Sequence, residues 1–288
     1  MHYHTPASFE EAVRIAASAG GVTRFLAGGT DVLVQLRAGA VTPDDLIDLK
    51  HIPGVHDIAA TPQGGWRIGV AVSGAELGEH AALKRDWPGV VEAMELVGST
   101  QVQGRATLTG NLCNGSPAAD SVPALVAAGA RVAVTGPQGS REMAVEQVPT
   151  GPGKTALGPG DLITAITLPP RGAGGGDAYQ RFIPRTEMDI AVVGCAVNLT
   201  LEGDVITQAR VALGAVAPTV MLVPEAAEAI ISTTLDSDAL EALVKVARSA
   251  ARPISDKRGT AEFRTDIAGV LARRVAELAY ARAKGRAK

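Results

Sequence analysis

Two glycine-bearing stretches of the chain carry residue types suited to binding a phosphate group. The first reads Leu26-Ala27-Gly28-Gly29-Thr30-Asp31-Val32-Leu33 and lies between an expected strand and an expected helix. Glycine reaches positive φ at no steric cost, and the free amides at a helix start attract an anion. The spacing matches neither G-x-G-x-x-G nor a P-loop. Taken alone, the stretch is explained more simply as a tight turn followed by a helix cap.

The second stretch, from Thr107 to Asp120, is rich in small polar side chains. Thr107 and Asn111, on either side of Gly110, offer hydroxyl and amide groups that can bond to phosphate oxygens. The Asp120 carboxylate can accept from sugar hydroxyls, and such a charge-assisted bond is worth about 1.5–3 kcal/mol. Taken alone, this stretch also fits a polar loop whose side chains cap local helices.

A third stretch mixes charges of both signs just before an expected strand. Arg181 and Arg185 stand four residues apart, and Glu187 and Asp189 alternate after them. Mixed charge of this kind is typical of a solvated segment. The first two stretches, although about 80 residues apart, both suit phosphate and sugar. A large dinucleotide held between two subdomains would need such a pair.

The composition excludes several classes of function. The 288 residues include 27 basic and 30 acidic ones, a net charge of −3, and only 3% aromatics, which argues against a dedicated nucleic-acid binder. Cys113 and Cys195 lack the spacing of a structural zinc site or an iron–sulfur cluster. The N-terminus does not resemble a secretory signal, and no apolar run reaches the roughly 18 residues of a membrane span. We therefore expect a cytoplasmic protein without a membrane span.

Helices and strands alternate in the N-terminal half. Ser8 and Glu11 form a capping-box pattern that predicts a helix ending at Gly20-Gly21. The expected elements that follow are strand 24–27, helix 31–37, strand 45–49, strand 66–72, a helix from Ala75 capped by Ser73, helix 88–97, helix 117–128 and strands 131–135 and 162–168. The intervening stretch 98–116 is too polar for a core helix and is expected to be a loop with short extended pieces.

The composition shifts at residues 169–176, which form the best linker candidate because they are almost all Pro and Gly. Beyond it, two β-rich runs, 190–201 and 205–213, predict an antiparallel hairpin. Helices are expected from Pro224 and over 237–251 and 260–284. The C-terminal part is therefore expected to be a separate α+β domain.

Five motifs, in order and spacing, resemble the flavin-binding medium subunit of the molybdenum hydroxylases, the family of xanthine dehydrogenase and carbon monoxide dehydrogenase. They are A-G-G-T-D at Ala27–Asp31, T-L-T-G-N at Thr107–Asn111, S-P-A-A-D at Ser116–Asp120, P-R-T-E-M-D-I-A at Pro184–Ala191, and the run from Pro253 to Arg264. The resemblance covers nearly the whole chain. It implies an α+β fold: an N-terminal FAD-binding region of the vanillyl-alcohol-oxidase (PCMH) type with two subdomains, residues 1–55 and 56–172, and a C-terminal α+β domain, residues 177–288, in which helices cover an antiparallel sheet.

The resemblance also implies individual roles around FAD. Residues 26–33 would wrap the pyrophosphate, and Thr107, Gly110 and Asn111 would contact the phosphates and the neighbouring sugar. Asp120 would bond hydroxyls on the adenosine side. The remaining contacts would be Ile163 on the cofactor, Arg181 near the polar edge of the flavin, and Asp189 and Ile190 flanking the isoalloxazine. No histidine lies in these motifs, so we expect noncovalent FAD, and we expect neither a nucleophile nor a general base in this chain.

By the same resemblance, the chain is expected to be the electron-transfer subunit of a heterotrimer, assembled as a dimer of heterotrimers. Electrons would arrive from the [2Fe–2S] clusters of a small subunit, after oxidation at the molybdopterin of a large subunit, and leave to NAD⁺, a quinone or O₂. Two alternatives remain open. One is a stand-alone flavin oxidoreductase, against which the C-terminal motif argues. The other is an assembly subunit without FAD, because Thr109 stands where some relatives have Gly, and Ile190 where some have an aromatic residue.

Overall fold

The computed structural model describes residues 1–286 and contains three main sheets that follow one another along the chain. The first lobe, residues 1–55, is built of β1 (His2–His4), α1 (Phe9–Ser18), β2 (Thr23–Leu26), α2 (Val32–Arg37) and β3 (Asp45–Asp48). Its three strands are parallel, in the order β1-β3-β2, so β2 and β3 end at the same edge of the sheet.

The start of α1 agrees with the capping pattern of the sequence. The Ser8 hydroxyl accepts from the amide of Glu11 at 3.1 Å, and the Glu11 carboxylate accepts in return from the amide of Ala7 at 2.7 Å. Ala12 and Val13 then pack on the sheet in the core of the first lobe. The short strand β1 was not expected from the sequence.

The second lobe, residues 56–172, holds a five-stranded antiparallel sheet in the order β4-β5-β10-β6-β7, covered by short helices. Its elements are β4 (Ile58–Ala60), β5 (Trp66–Gly69), α3 (Gly74–Glu79), α4 (Ala81–Asp86), α5 (Pro88–Glu95), α6 (Thr100–Gln103), α7 (Leu108–Cys113), α8 (Ser121–Ala127), β6 (Arg131–Gly136), β7 (Gly139–Ala144), β8 (Pro149–Gly151), β9 (Lys154–Thr155) and β10 (Leu162–Leu168). The capping box that Ser73 and Glu76 predict at α3 is present in full.

Two sequence predictions for this lobe are wrong. The stretch 98–116, expected as loop, contains the helices α6 and α7. One of its polar residues caps a helix: the Thr107 hydroxyl accepts from the amide of Gly110 at 2.9 Å at the start of α7. The helix expected from Pro117 begins only at Ser121, because Ser116–Ala119 form a turn first.

The C-terminal domain is an antiparallel sheet with helices packed on it. Its elements are β11 (Gly175–Phe182), β12 (Val193–Glu202), β13 (Val205–Gly214), β14 (Met221–Leu222), α9 (Pro224–Glu228), α10 (Ser237–Ala250) and α11 (Ala261–Arg286). The predicted hairpin is confirmed as β12 and β13. Within residues 1–286, no helix is both long and apolar enough to cross a membrane.

The linker is shorter than predicted, since β11 already begins at Gly175. The glycines there serve packing as well as turning. A Cβ at Gly176 would lie 2.6 Å from the backbone nitrogen of Ala283, so only glycine lets α11 lie this close to β11. The glycines at the end of the predicted linker therefore belong to β11, where α11 packs on the strand.

Three arginines fasten the C-terminal domain to the second lobe, and we call them the arginine joint: Arg171, Arg282 and Arg286. Arg171 stacks 3.5 Å above the ring of Trp87 and pairs with Asp177 of β11 at 2.6 Å. Arg282 of α11 pairs with Glu92 of α5 and donates to the carbonyl of Asp177 at 2.9 Å. Arg286 donates to backbone carbonyls on both sides.

Removing one member should loosen this joint. We expect Arg282→Ala to lower the free energy of unfolding by about 1–2 kcal/mol, because Glu92 loses its partner in a half-buried site. Trypsin should then cut the connection at Arg171 faster, as followed by mass spectrometry. Arg274→Ala, an exposed arginine on the same helix, is the matched control. Equal cleavage rates in the two variants would contradict the expectation.

Candidate functional site

The first glycine turn follows β2 and leads directly into α2. Gly29 has φ +84°, a conformation that residues with a side chain rarely adopt. The amide of Leu33 donates to the carbonyl of Gly29 at 3.1 Å, which closes the turn. The amides of the three residues before it, Thr30, Asp31 and Val32, donate to no atom of residues 1–286. These free donors at a helix start suit an anion.

The second glycine turn has the same character at the start of α7. Its cap occupies the amides of Gly110 and Asn111, which bond to the hydroxyl and the carbonyl of Thr107. The amide of Leu108 faces the carbonyl of Val72 in the antiparallel bridge between Ser73 and Thr107, whereas the amide of Thr109 has no partner in the described part of the chain. Thr107 and Thr109 are both buried, so this turn is packed against the rest of the protein.

The structure brings these two turns together. A Cβ at Gly28 would overlap the carbonyl oxygen of Arg105 and lie 3.2 Å from the Cα of Ala106, directly before Thr107. Farther along, the side chain of Gln35 on α2 donates to the side chain of Asn114, the residue directly after α7, at 3.1 Å. The turns that lead into α2 and α7 therefore lie beside each other, one on each lobe.

A cavity of about 320 Å³ opens beside the first turn, between the two lobes. Its lining includes Ala27, Gly28, Lys50, His56, Ser73 and Arg105. Ala27 and Lys50 follow β2 and β3, and the carboxyl ends of parallel strands are where ligands usually bind in such sheets. Sequence reasoning did not find Lys50, His56 or Arg105. Only the position of Arg105, two residues before Thr107, could have signalled one of them.

Asp120 lies at the start of α8, at the contact with the C-terminal domain. Its carboxylate accepts from Arg181 at 2.6 Å and from the Tyr179 hydroxyl at 3.0 Å, both on β11. Burial raises the pKa of Asp120 to about 6, against the opposing effect of the Arg181 charge and the two hydrogen bonds. Arg181 Nε is buried and finds no partner among residues 1–286.

The third stretch is solvated only in part, which corrects the sequence prediction. Tyr179 and Arg181 belong to β11 and bury their side chains against Asp120. The loop after them is exposed, and Ile190 is 52% exposed. Asp189 lies near Arg181, which donates to its carbonyl at 3.4 Å.

Two further predicted residues are engaged within the protein. The Asn111 side-chain oxygen accepts from the amide and the hydroxyl of Ser121, which ties α7 to α8. Ile163 lies on β10, and its side chain is buried in the core of the second lobe. The predicted residues thus fall into a group between the lobes (26–33 with Thr107, Gly110 and Asn111), a group at the C-terminal domain (Asp120, Arg181, Asp189, Ile190), and Ile163 in the core.

The raised pKa of Asp120 gives a pH dependence with a definite sign. The folded protein holds this proton more tightly than the unfolded chain, so its contribution to stability is full below about pH 4 and is lost as the pH rises through about 6. We expect the unfolding free energy of wild type relative to Asp120→Asn to fall by up to about 1.4 kcal/mol per pH unit across that window. Urea unfolding at several pH values measures it, and a pH-independent difference would contradict it.

Comparison with known proteins matches two regions of the chain to family models. Residues 1–171 match the model of the FAD binding domain in molybdopterin dehydrogenase, and residues 178–279 match the CO dehydrogenase flavoprotein C-terminal domain. The carbon monoxide dehydrogenase medium chain of Afipia carboxidovorans is 35% identical over 287 residues, covering 98% of this chain and 97% of that protein. The xanthine dehydrogenase FAD-binding subunit of Escherichia coli O157:H7 is 29% identical over 285 residues, covering 99% and 97%.

Solved structures agree with the sequence matches. Carbon monoxide dehydrogenase from Hydrogenophaga pseudoflava contains a chain that superposes with a TM-score of 0.93 at 29% identity, with 98% of each chain covered. A crystal structure of the Cu,Mo-CO dehydrogenase gives the same score at 34% identity and the same coverage. The mixed fold of helices and antiparallel sheets is therefore that of this group. The chain belongs to the family of FAD-binding medium subunits of the molybdenum hydroxylases, which includes carbon monoxide dehydrogenase and xanthine dehydrogenase.

Proposed function

We propose that the two glycine turns together hold the diphosphate of a noncovalently bound FAD between the first and second lobes. The observation that carries this proposal is the convergence of the helix starts of α2 and α7. Four amides there, those of residues 30–32 and of Thr109, have no partner within residues 1–286. A diphosphate has enough acceptor oxygens to take several such donors at once.

The rest of the chain offers groups that fit the other parts of FAD. Asp120 and Arg181 meet at the junction of the second lobe with the C-terminal domain, and the unpaired Nε of Arg181 can donate to a polar ring edge. Asp189 and Ile190 follow on the exposed loop beside them. When bound, FAD supplies the redox chemistry, and the side chains named here orient it and set its surroundings.

We further propose that the chain is the electron-transfer subunit of a heterotrimer, assembled as a dimer of heterotrimers. A small subunit with [2Fe–2S] clusters would deliver electrons that a large molybdopterin subunit has taken from substrate. The chain would pass them to NAD⁺, a quinone or O₂. The support is the relationship to proteins named as medium chains and FAD-binding subunits, along most of their length.

Flavin reconstitution of the full chain tests the proposal. We expect the protein to take up FAD, to show flavin absorbance bands, and to release all of the flavin on denaturation because no covalent bond holds it. Gly29→Val should lower FAD occupancy strongly. A branched side chain is strained at φ +84° and would press on the Leu26 and Leu33 side chains, at 2.9 and 3.3 Å from the new Cβ.

Gly139→Val is the matched control, because Gly139 also has positive φ but meets nothing within 4 Å and lies on the remote β6–β7 hairpin. It should bind FAD as wild type does. Protein that stays colourless after incubation with FAD would refute the proposal. Equal FAD occupancy in both valine variants would remove the first turn from it.

A further inference from the structure

The cavity beside the first glycine turn has a charge pattern that the two glycine turns do not account for. Arg105 is exposed on its rim, and no carboxylate of residues 1–286 pairs with it. Its backbone is fixed, since its carbonyl lies where a Cβ of Gly28 would be. Arg105 therefore places an uncompensated positive charge next to the phosphate-binding turn.

Lys50 is the second cation of the cavity, and the fold holds its ammonium in one position. It bonds to the Asp48 carboxylate at 2.7 Å, and this carboxylate also accepts from the Lys50 amide at 3.0 Å. The Tyr3 hydroxyl bonds to the other carboxylate oxygen at 2.5 Å. These bonds, with the Lys50 bond as the main cause, keep the pKa of the buried Asp48 below its usual value despite desolvation. Lys50 is thus an oriented donor with two further N–H bonds to offer.

The remaining charged groups of the cavity, His56 and Glu76, lie next to each other. His56 and Glu76 approach to 3.6 Å, and the Glu76 carboxylate also accepts from the amide of Ser73 at 2.7 Å. Lys50 is balanced by Asp48. The excess charge of the cavity is therefore that of Arg105, and its chemistry is that of an anion site with two nitrogen donors.

We infer that Arg105 and Lys50 bind the adenosine-side phosphate of the dinucleotide in this cavity and thereby select FAD over flavins that lack adenosine diphosphate. The inference rests on the proposed function, which places a diphosphate at the adjoining turns. The cavity adjoins the first turn at Ala27 and Gly28, and both cations line it together with these two residues. Riboflavin has no phosphate and cannot use them.

Titrations of the full-length apoprotein with FAD, ADP and riboflavin test the inference. Arg105→Gln should weaken FAD and ADP by about 10- to 100-fold, which corresponds to one charge-assisted hydrogen bond, and leave riboflavin unchanged. The loss should shrink at high salt. Because Lys50→Gln alone would leave Asp48 buried without its cation, the second variant is the neutral pair Asp48→Asn with Lys50→Gln, and it should weaken the same two ligands.

Arg67→Gln is the matched control, since it removes an exposed arginine of the second lobe that does not line the cavity. The inference is wrong if wild type binds FAD and Arg105→Gln binds FAD and ADP as tightly as Arg67→Gln does. That result would leave the proposed function unaffected. Wild type that binds no flavin would refute the proposed function. In that case ADP decides separately: binding that Arg105→Gln loses supports the cation site, and no ADP binding refutes it.

Discussion

Gly28→Ala will abolish FAD binding and destabilise the first lobe. The new Cβ would overlap the Arg105 carbonyl oxygen and lie 2.8 Å from its carbon, and both are backbone atoms that cannot turn away. Relief requires the two lobes to separate at the point where the amides of α2 and α7 converge. Overpacking of this kind costs about 1–3 kcal/mol, and a shift of one ångström is enough to disrupt several hydrogen bonds to one diphosphate.

Flavin titration and thermal unfolding of the same preparations measure both effects. Gly20→Ala is the control, because Gly20 precedes the same strand and a Cβ there meets nothing within 4 Å. It should bind FAD as wild type does. If Gly28→Ala kept its FAD affinity within twofold, the contact between the turns would not be needed for binding.

Arg181→Met will cost about 3–5 kcal/mol of unfolding free energy at pH 8, the second large effect. It leaves the Asp120 carboxylate buried with only the Tyr179 hydroxyl as partner, and an uncompensated buried charge is expensive. At pH 5 the penalty should be smaller, because the raised pKa of Asp120 lets the carboxyl take up a proton.

The double variant Asp120→Asn with Arg181→Met completes the cycle. Removing both charges should recover most of the loss, since neither partner is then stranded. Arg185→Met is the control, because the Arg185 side chain is 68% exposed and its ion pair with Asp189 should contribute less than about 1 kcal/mol. A double variant as unstable as Arg181→Met alone would show that packing, and not charge, dominates at this junction.

Local sequence signals predicted much of this fold correctly. The capping residues Ser8 and Ser73 mark α1 and α3, because a cap is a contact between residues three apart. The hairpin of β12 and β13 is equally local. The helix α7 escaped prediction because Thr107 is its cap, while tertiary burial of Leu108 and Leu112 decides the conformation.

The site shows the same limit. The two glycine turns could be recognised, but nothing in the sequence relates Gly28 to Arg105 or Asp120 to Arg181, because these contacts join elements far apart in the chain. Gly176 resembles part of a linker in composition, yet α11 packs so closely on it that no side chain would fit there. Residue types indicate which chemistry is available, but only the fold determines which groups lie close enough to act together.

Strand β11 carries both the joint at Asp177 and, four residues later, the Arg181 that pairs with Asp120. The C-terminal domain is therefore not an exchangeable module. A chimera that grafts this domain from a relative will keep its grip on the second lobe only if it matches Trp87 and Glu92 at one end of the strand and Asp120 at the other. A working hybrid must therefore receive both ends of β11 together with the second-lobe residues that they contact.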